Sequence, residues 1–516
     1  MSLAARVGRA IFWGQAGRFA EAGILFIFSL LLARVLGPAS YGLYALGMSL
    51  AGVCGFLTLL GLGPETLGRF LPEIAADGQR HRANSLLRAL LGIRFAAIVF
   101  VACLVFIFRG AILAKLHFPL IIVSLVAVLL VFAARSILDL LTSFSSGLLD
   151  LRSVAVAKLA ASAAAPALFL AFLIFRHANT GAAWLATAGS SLVGILVLAS
   201  PFLRTRGSPV SGQRVAVRPI LAFGMFAWTT NFFMYILGDN TDVLLLGFLL
   251  SERAAIGRYA VGAKIVFSLT GLLLGWAALV SVASFAESHQ RLGKEAMARM
   301  VEAQWRLAVL CVVGPSLLLL RYAREIITTA YSADYAPSVP VTQVLCVLMA
   351  CAAVLGFSLG TSALYAIGKE RMACALVGAA ATFNIVSEVF LVRRMGILGA
   401  AYATGLSFVV LALLSATASR IYVPWRFPAE FVGKVIVASS VALVPTFYIR
   451  ADSIVALAAG SLAWGGAFFL GLLILKPLGP FDFAALTRIN PRLAALAGSF
   501  SAQRWDAAAE GAPWPE

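Results

Sequence analysis

The chain has 516 residues, of which 61% are hydrophobic and 12% charged, and its mean hydropathy is +0.97. Soluble globular domains are about half apolar and about a quarter charged, so this composition excludes a water-soluble fold. The formal net charge is +18, but the Lys and Arg residues lie between apolar runs rather than on a soluble face with interleaved aromatic residues. Nucleic acid is therefore not expected as a partner.

The sequence offers little metal or cofactor chemistry. The six cysteines are scattered in apolar runs without a CxxC pair, where cysteine behaves as a small hydrophobic residue. The four histidines are far apart, so no metal site is expected. The sequence has no GxxxxGK[ST] phosphate-binding loop. We therefore expect no cofactor and no ATP-driven motor.

The apolar runs predict an all-α polytopic membrane protein. The first run begins near residue 11, contains Arg18 and Glu21, and continues to about Leu36, which fits a retained span better than a cleaved signal peptide. Since a crossing needs about 20 mostly apolar residues, the runs as far as residue 475 predict about fourteen transmembrane helices.

Charge between the spans predicts the orientation. With a cytoplasmic N-terminus, roughly 25 Lys and Arg residues fall on the cytoplasmic side and roughly 11 on the other, which favours cytoplasmic N- and C-termini by the positive-inside rule. Every outer connection is short. This disfavours a membrane polysaccharide polymerase or ligase, because those classes carry a large outer loop beside the active site.

An internal repeat divides the spans into two halves. Ser40–Gly47 resembles Ala255–Gly262, and the Gly-Ala-Ala-Trp run at Gly181 resembles the Gly-Ala-Ala-Tyr run at Gly399, at a nearly constant separation. Six predicted spans lie between equivalent points, so the repeats are parallel. The predicted organisation is an N-lobe of six helices (1–203), a cytoplasmic linker (204–217), a C-lobe of six helices (218–421), an additional helix pair (422–476) and a cytoplasmic tail (477–516).

Polar and ionisable residues inside the spans are the best functional candidates. An ionisable side chain at the bilayer centre costs roughly 2.5–3.5 kcal/mol, so such residues usually face a bundle interior or a wet cavity. The candidates are Gln15, Arg18 and Glu21 in the first span, Arg94 in the third, Arg135 and Asp139 in the fourth, Asn231 and Tyr235 in the seventh, Lys264 in the eighth, and Asn384 and Glu388 in the eleventh. Alternatively, the closely spaced opposite charges are neutralised pairs that only join helices.

If these residues face one central cavity, its chemistry suits an anion. Guanidinium groups bind phosphate oxygens in bidentate fashion, so a diphosphate is a natural ligand. The candidate cations are Arg18, Arg94, Arg135 and Lys264. The candidate acids, which form switchable pairs with the arginines or carry coupled protons, are Glu21, Asp139 and Glu388. The other polar candidates are Gln15, Asn231, Tyr235 and Asn384.

Several motifs carry a resemblance to a known family. Ala33–Ala45 contains Leu-Gly-Pro-Ala-Ser-Tyr-Gly and is followed by Gly61–Glu73, while the second half contains Asp242–Gly247, Tyr335–Pro340 and Gly396–Thr404. Together they resemble Wzx-type polysaccharide flippases over about residues 10–475. That family belongs to the multidrug/oligosaccharidyl-lipid/polysaccharide exporter superfamily, which also includes the lipid II flippases and the MATE drug antiporters.

The resemblance implies a transporter rather than an enzyme, with two six-helix lobes around a cavity that opens alternately to each side. It implies an undecaprenyl-diphosphate-linked oligosaccharide as substrate, and membrane lipid, the polysaccharide polymerase and the export machinery as partners. It implies the bacterial cytoplasmic (inner) membrane as the location and assigns diphosphate binding to Arg18 and Arg135. A MATE-like drug or cation antiporter is the alternative, against which the Leu-Gly-Pro-x-x-Tyr-Gly motif and the cationic interior count.

Overall fold

The computed structural model describes residues 3–63, 66–68, 70–71, 80–116, 122–148, 150–204, 217–449 and 453–476. Its first eight helices are α1 (Leu3–Leu59), α2 (Arg80–Ile107), α3 (Arg109–Lys115), α4 (Ile122–Gly147), α5 (Leu151–Ile174), α6 (Thr180–Arg204), α7 (Val217–Ile236) and α8 (Asp239–Leu249). The next eight are α9 (Arg253–Ala330), α10 (Val339–Val354), α11 (Leu359–Ala366), α12 (Glu370–Met395), α13 (Ile397–Arg420), α14 (Ala429–Val441), α15 (Val444–Tyr448) and α16 (Ile454–Leu475). A 3₁₀ turn, Ala333–Ser338, precedes α10.

Local signals in the sequence explain where several helices begin. The Asp150 side chain accepts a hydrogen bond from the Ser153 backbone N–H and caps α5. The Asn179 side chain accepts in the same way from the Ala182 N–H at the start of α6. Short polar residues at these points satisfy backbone donors that have no partner inside the helix, so each apolar run starts at a defined residue.

Two helices are too long for a single crossing. α1 has 57 residues and α9 has 78, whereas about 20 residues at 1.5 Å rise span the hydrocarbon core. Each contains one glycine with a positive φ, Gly37 at 70° and Gly293 at 85°, a conformation that other residues rarely adopt. Pro38 follows the first of these and removes a backbone donor. These positions divide each long helix into two segments.

The all-helical membrane fold is confirmed. Among the described residues, eleven helices are long and apolar enough to cross a membrane, or twelve if the bent pair Trp228–Ile236 and Asp239–Leu249 is one span. The exact count of fourteen remains a prediction, because α1 and α9 each count once here despite their breaks. Residues 205–216 of the predicted linker 204–217, and the predicted tail 477–516, lie outside the described residues.

The described helices form two compact units. Unit 1 comprises residues 1–268 and 377–404, and unit 2 comprises residues 269–376 and 405–516. In unit 1, a buried cluster that includes Leu87, Leu90, Phe144 and Leu198 packs α2, α4 and α6 together. The predicted lobes 1–203 and 218–421 remain a prediction.

Unit 2 has its own buried core. Trp305 of α9 packs against Trp425 with ring centroids 4.6 Å apart, and its indole N–H donates to the Val354 carbonyl at 2.9 Å. Val435 of α14 and Leu472 of α16 join the same core, so the predicted additional helix pair packs within unit 2.

Within unit 1, the two halves of the sequence repeat pack against each other at a pair of glycines. A Cβ at Gly257 would overlap the Pro38 carbonyl oxygen and lie 2.9 Å from the Gly42 nitrogen. A Cβ at Gly42 would overlap the Arg253 carbonyl oxygen and lie 2.8 Å from the Gly257 nitrogen. The contact is reciprocal, and it joins repeat-equivalent positions. Only glycine lets these two backbones approach so closely.

Candidate functional site

Unit 1 contains a cavity of about 410 Å³, within the range of roughly 300–1,000 Å³ that is typical of small-molecule sites. Five helical segments contribute most of its surface: both segments of α1, together with α4, α5 and α6. The beginning of α8, together with Ala260 and Lys264 in the first four turns of α9, completes it. Its ionisable lining residues are Glu21, Tyr41, Tyr44, Arg135, Asp139, Lys158, Asp239 and Lys264.

The cavity carries three bases and three acids, so its formal charge is zero rather than positive. Lys158 Nζ lies 3.5 Å from Glu21 Oε2, and both side chains are partly exposed. Arg135 is the principal electrostatic partner of Asp139, one helical turn further along α4. In the described part of the chain, no carboxylate oxygen lies within 4 Å of a side-chain nitrogen of Arg135 or Lys264. These two cations are therefore available to an anionic ligand.

A break between α7 and α8 places two acids at a helix start. The helices meet at an angle of 55° around Gly238, and Asp239 and Asp242 occupy the first turn of α8. Negative side chains are favoured there, because the first backbone N–H groups are not bonded within the helix. Discontinuous helices of this kind commonly form binding sites in transporters. Asp239 faces the cavity, whereas Asp242 is fully buried in a separate cluster.

We name that second group, Asp242, Tyr259, Asn384, Glu388 and Thr404, the carboxylate cluster. All five residues are completely buried in unit 1. Asp242 Oδ2 accepts hydrogen bonds from the Tyr259 hydroxyl and, at 2.8 Å, from the Thr404 hydroxyl. The Asn384 amide donates to Thr404 Oγ1 at 3.2 Å. Glu388 interacts electrostatically with Asp242.

The carboxylate cluster has more acceptors than donors. Among the described residues, Asp242 Oδ1, Asn384 Oδ1 and both oxygens of Glu388 receive no hydrogen bond from an N–H or hydroxyl donor, although the Asp242 and Glu388 carboxyl groups are close enough to share a proton. Buried polar atoms are normally satisfied, and an unpaired buried charge is expensive. Buried acceptor oxygens without such donors suit a proton or a monovalent cation. No group of three or more His, Cys, Asp or Glu residues with metal-site geometry occurs in the described residues, which gives no indication of a divalent metal site.

The sequence repeat relates the cavity to the carboxylate cluster. In the first half, the Tyr44 hydroxyl lies 3.3 Å from Thr187 Oγ1 in the cavity wall. The equivalent residues of the second half are Tyr259 and Thr404, and both of these donate to Asp242. The same tyrosine and threonine positions thus line a polar cavity in one half and hold a buried carboxylate in the other.

The structure gathers some of the predicted site residues and separates others. Glu21, Arg135, Asp139 and Lys264 line the cavity. Asn384 and Glu388 belong to the carboxylate cluster. The other predicted residues lie outside both groups. Arg18 is exposed on α1, and Asn231 and Tyr235 are half-buried on α7. Arg94 is buried on α2, and its Nε and Nη2 have no hydrogen-bond partner among the described residues. Gln15 lies in α1, and its side chain falls outside the description.

Five residues of the two groups were not among the predicted site residues: Lys158, Tyr259, Thr404, and Asp239 and Asp242 of α8. The predicted topology counts Lys158 among the cytoplasmic charges, whereas it lies about two turns inside α5. Tyr259 and Thr404 belong to the repeated segments, so their equivalence with Tyr44 and Thr187 of the first half is the sequence signal that could have identified them. The ligand-binding and coupling roles given to all of these residues remain predictions.

The sequence and the fold of this chain both match known proteins. The sequence matches the family described as polysaccharide biosynthesis protein over residues 7–289, which is more than half of the chain. The chain belongs to this family. This confirms the resemblance to Wzx-type flippases. A curated relative, an uncharacterised membrane protein of Methanocaldococcus jannaschii, is 21% identical over 315 residues, and the match spans 56% of this chain and 57% of the relative's length.

Solved structures with the same fold are flippases and transporters. The lipid II flippase MurJ in an inward closed conformation superposes with a TM-score of 0.69 at 14% identity, covering 91% of this chain and 98% of that one. An inward-facing multidrug resistance MATE family transporter gives 0.61 at 14% identity, covering 79% and 94%. The bent form of the Vibrio cholerae MATE transporter VcmN gives 0.55 at 14% identity, covering 80% and 98%. This member of the polysaccharide biosynthesis protein family is therefore a multi-pass membrane protein with a transporter fold.

Proposed function

We propose that the chain carries an undecaprenyl-diphosphate-linked oligosaccharide from the cytoplasmic to the outer leaflet of a bacterial inner membrane by alternating access. The observation that carries the proposal is the cavity of unit 1, where Arg135 and Lys264 have no ion-pair partner in the described chain. Both termini are cytoplasmic in this proposal. The chain makes and breaks no covalent bond, and it works with membrane lipid, a polysaccharide polymerase and the export machinery.

The charges of the cavity support an anionic head group held by a few cations. A guanidinium group offers paired donors that match phosphate oxygens, whereas an ammonium group acts as a mobile point charge. We therefore assign the diphosphate to Arg135 with help from Lys264. Asp139 lies beside Arg135, so an incoming diphosphate would compete with it for the guanidinium. This competition gives Asp139 a role in release.

We further propose that the carboxylate cluster couples transport to a cation gradient. Four of its acceptor oxygens, from Asp242, Asn384 and Glu388, receive no hydrogen bond from an N–H or hydroxyl donor among the described residues, and all are buried. Binding of a proton or of a monovalent cation such as Na⁺ would neutralise charge that is otherwise uncompensated. α8 connects this cluster to the cavity, because Asp239 and Asp242 lie one turn apart on it. A change in the cluster can therefore be transmitted to the cavity through a single short helix.

The diphosphate assignment is tested by binding undecaprenyl diphosphate to purified protein in nanodiscs. Arg135→Met should weaken binding by about tenfold to a hundredfold, since hydrogen bonds to charged groups contribute about 1.5–3 kcal/mol. Arg135→Lys should recover part of this affinity. The matched control is Arg291→Met, because Arg291 is exposed and pairs with Glu287 on the same helix. Unchanged affinity in Arg135→Met would refute the assignment.

The coupling assignment is tested in proteoliposomes with an imposed proton or sodium gradient. Asp242→Asn and Glu388→Gln should each abolish the response of transport to the gradient while leaving undecaprenyl diphosphate binding within about twofold of wild type. The effective gradient identifies the ion. A response that survives in both variants would remove the carboxylate cluster from the coupling mechanism.

A MATE-like antiporter of organic cations is the second candidate. Asp139 and Asp239 line the cavity, and they favour it because a cationic substrate needs carboxylates. Ethidium efflux from cells that express the chain distinguishes the two functions. Efflux that depends on Asp139 and Asp239, with no accumulation of lipid-linked glycan after deletion of the gene, would establish the antiporter. Accumulation of that glycan on the cytoplasmic leaflet would establish the flippase.

A further inference from the structure

One wall of the cavity is made of hydroxyl groups on two adjacent helices. We name Ser162 of α5 with Thr187, Ser190 and Ser191 of α6 the hydroxyl wall; all four line the cavity. The two helices approach closely near this wall, where a Cβ at Gly194 would lie 3.3 Å from the Ala161 Cβ. This approach places the hydroxyls of both helices beside each other.

The hydroxyl protons of this wall are directed back into the helices. Ser162 donates to the Leu159 carbonyl at 3.1 Å and Thr187 to the Ala183 carbonyl at 2.9 Å. Ser190 and Ser191 both donate to the Thr187 carbonyl, at 2.8 and 3.1 Å. A hydroxyl has one proton and two lone pairs, so these side chains present mainly acceptors to the cavity.

Two details show which groups remain available to a ligand. Because Thr187 already donates to Ala183, the Tyr44 hydroxyl at 3.3 Å must be the donor to Thr187 Oγ1, which leaves the Tyr44 lone pairs open. The Thr187 carbonyl accepts hydrogen bonds from both Ser190 and Ser191, and it also accepts one from a backbone N–H of its own helix. The longer bond, from Ser191, is the weaker of the two. Ser191 can therefore turn its proton toward a ligand.

We propose that the hydroxyl wall is a sugar subsite, which binds the hydroxyl groups of the first sugar attached to the diphosphate. Sugar hydroxyls donate and accept, as this wall requires, whereas an organic cation would leave the Ser191 donor unused. The inference rests on the proposed function, because the diphosphate at Arg135 brings the sugar into the same cavity. The consequence is that the cavity distinguishes a glycan-bearing lipid from the bare lipid diphosphate.

Serines in membrane helices often bond to their own backbone and serve only to let helices pack closely, so the test must separate binding from packing. Full-length protein in nanodiscs is titrated with three probes: undecaprenyl diphosphate, undecaprenyl-diphosphate-linked glucose, and the same glycolipid with its sugar hydroxyls methylated. Ser162→Ala and Ser190→Ala each remove one hydroxyl. Ser461→Ala is the matched control, since Ser461 donates to the Leu457 carbonyl at 2.8 Å but lies on α16 in unit 2.

The wild type should bind the glucosyl probe at least about tenfold more tightly than the bare or the methylated probe. Each wall variant should reduce this preference by about twofold to tenfold, the contribution of one neutral hydrogen bond, without changing affinity for bare undecaprenyl diphosphate. Parallel loss for all probes, or an unchanged preference, would overturn the sugar subsite. Failure of the diphosphate assignment is separate, because it would appear as unchanged affinity for the bare probe in Arg135→Met.

Discussion

The reciprocal glycine contact makes a specific prediction about which side of the cavity is closed. Tyr41 and Tyr44 line the cavity and flank Gly42, so the contact between Gly42 and Gly257 lies at one end of it. The predicted topology places this end on the outer side, because the connection between the first two spans is outer. We expect Gly257→Ala to prevent this closure and to favour a state that is open to the outside.

The magnitude follows from the distances. An alanine Cβ at residue 257 would lie 2.9 Å from the Gly42 nitrogen and overlap the Pro38 carbonyl oxygen, whereas non-bonded heavy atoms prefer about 3.5–4.0 Å. Both neighbours are backbone atoms, so neither can rotate away. Overpacking costs about 1–3 kcal/mol, and 2 kcal/mol corresponds to about a thirtyfold shift in population. The better helix propensity of alanine offsets at most about 1 kcal/mol.

The assay is the labelling rate of a cavity cysteine by a membrane-impermeant maleimide added outside cells. Ala45→Cys supplies the cysteine in a chain whose six native cysteines have been replaced, because Ala45 lines the cavity one turn from Tyr41. Gly257→Ala should raise the rate by at least about fivefold, which corresponds to the remaining 1 kcal/mol or more, and Gly42→Ala should do the same. Gly433→Ala is the control, since a Cβ there would meet no atom within 4 Å. If both glycine variants label at the control rate, the contact is not an outer closure.

Other predictions concern stability, measured by thermal unfolding in detergent. Gly61→Ala should destabilise the chain by at least about 1–3 kcal/mol, because Gly61 has a φ of 73° and its added Cβ would overlap the Gly224 backbone. Lys158→Met should cost less than about 1 kcal/mol, since its pairing with a glutamate is partly exposed. Trp305→Phe should cost about 1–2 kcal/mol by removing a hydrogen bond to the partly buried Val354 carbonyl, with no change in the preference between sugar probes. A larger loss of stability in Lys158→Met than in Trp305→Phe would contradict these assignments.

The sequence by itself determined the class of the molecule. Apolar length required a helical membrane protein, because only helices and closed barrels satisfy all backbone hydrogen bonds in lipid. The cost of burying charge indicated which residues were candidates, and four of them, Glu21, Arg135, Asp139 and Lys264, do line one cavity. Helical spacing was sufficient to place Arg135 and Asp139 together, since they lie one turn apart on α4.

Only the tertiary structure decided which helical face meets which partner. Periodicity places residues on a common face of one helix, but it does not say whether that face meets a cavity, another helix or lipid. Arg94 is buried but does not line the cavity. Lys158, which the predicted topology counts among the cytoplasmic charges, does line it. The contact of Asp242 with Thr404 joins residues 162 positions apart. Such contacts arise from packing between distant segments, which a pattern within one span cannot specify.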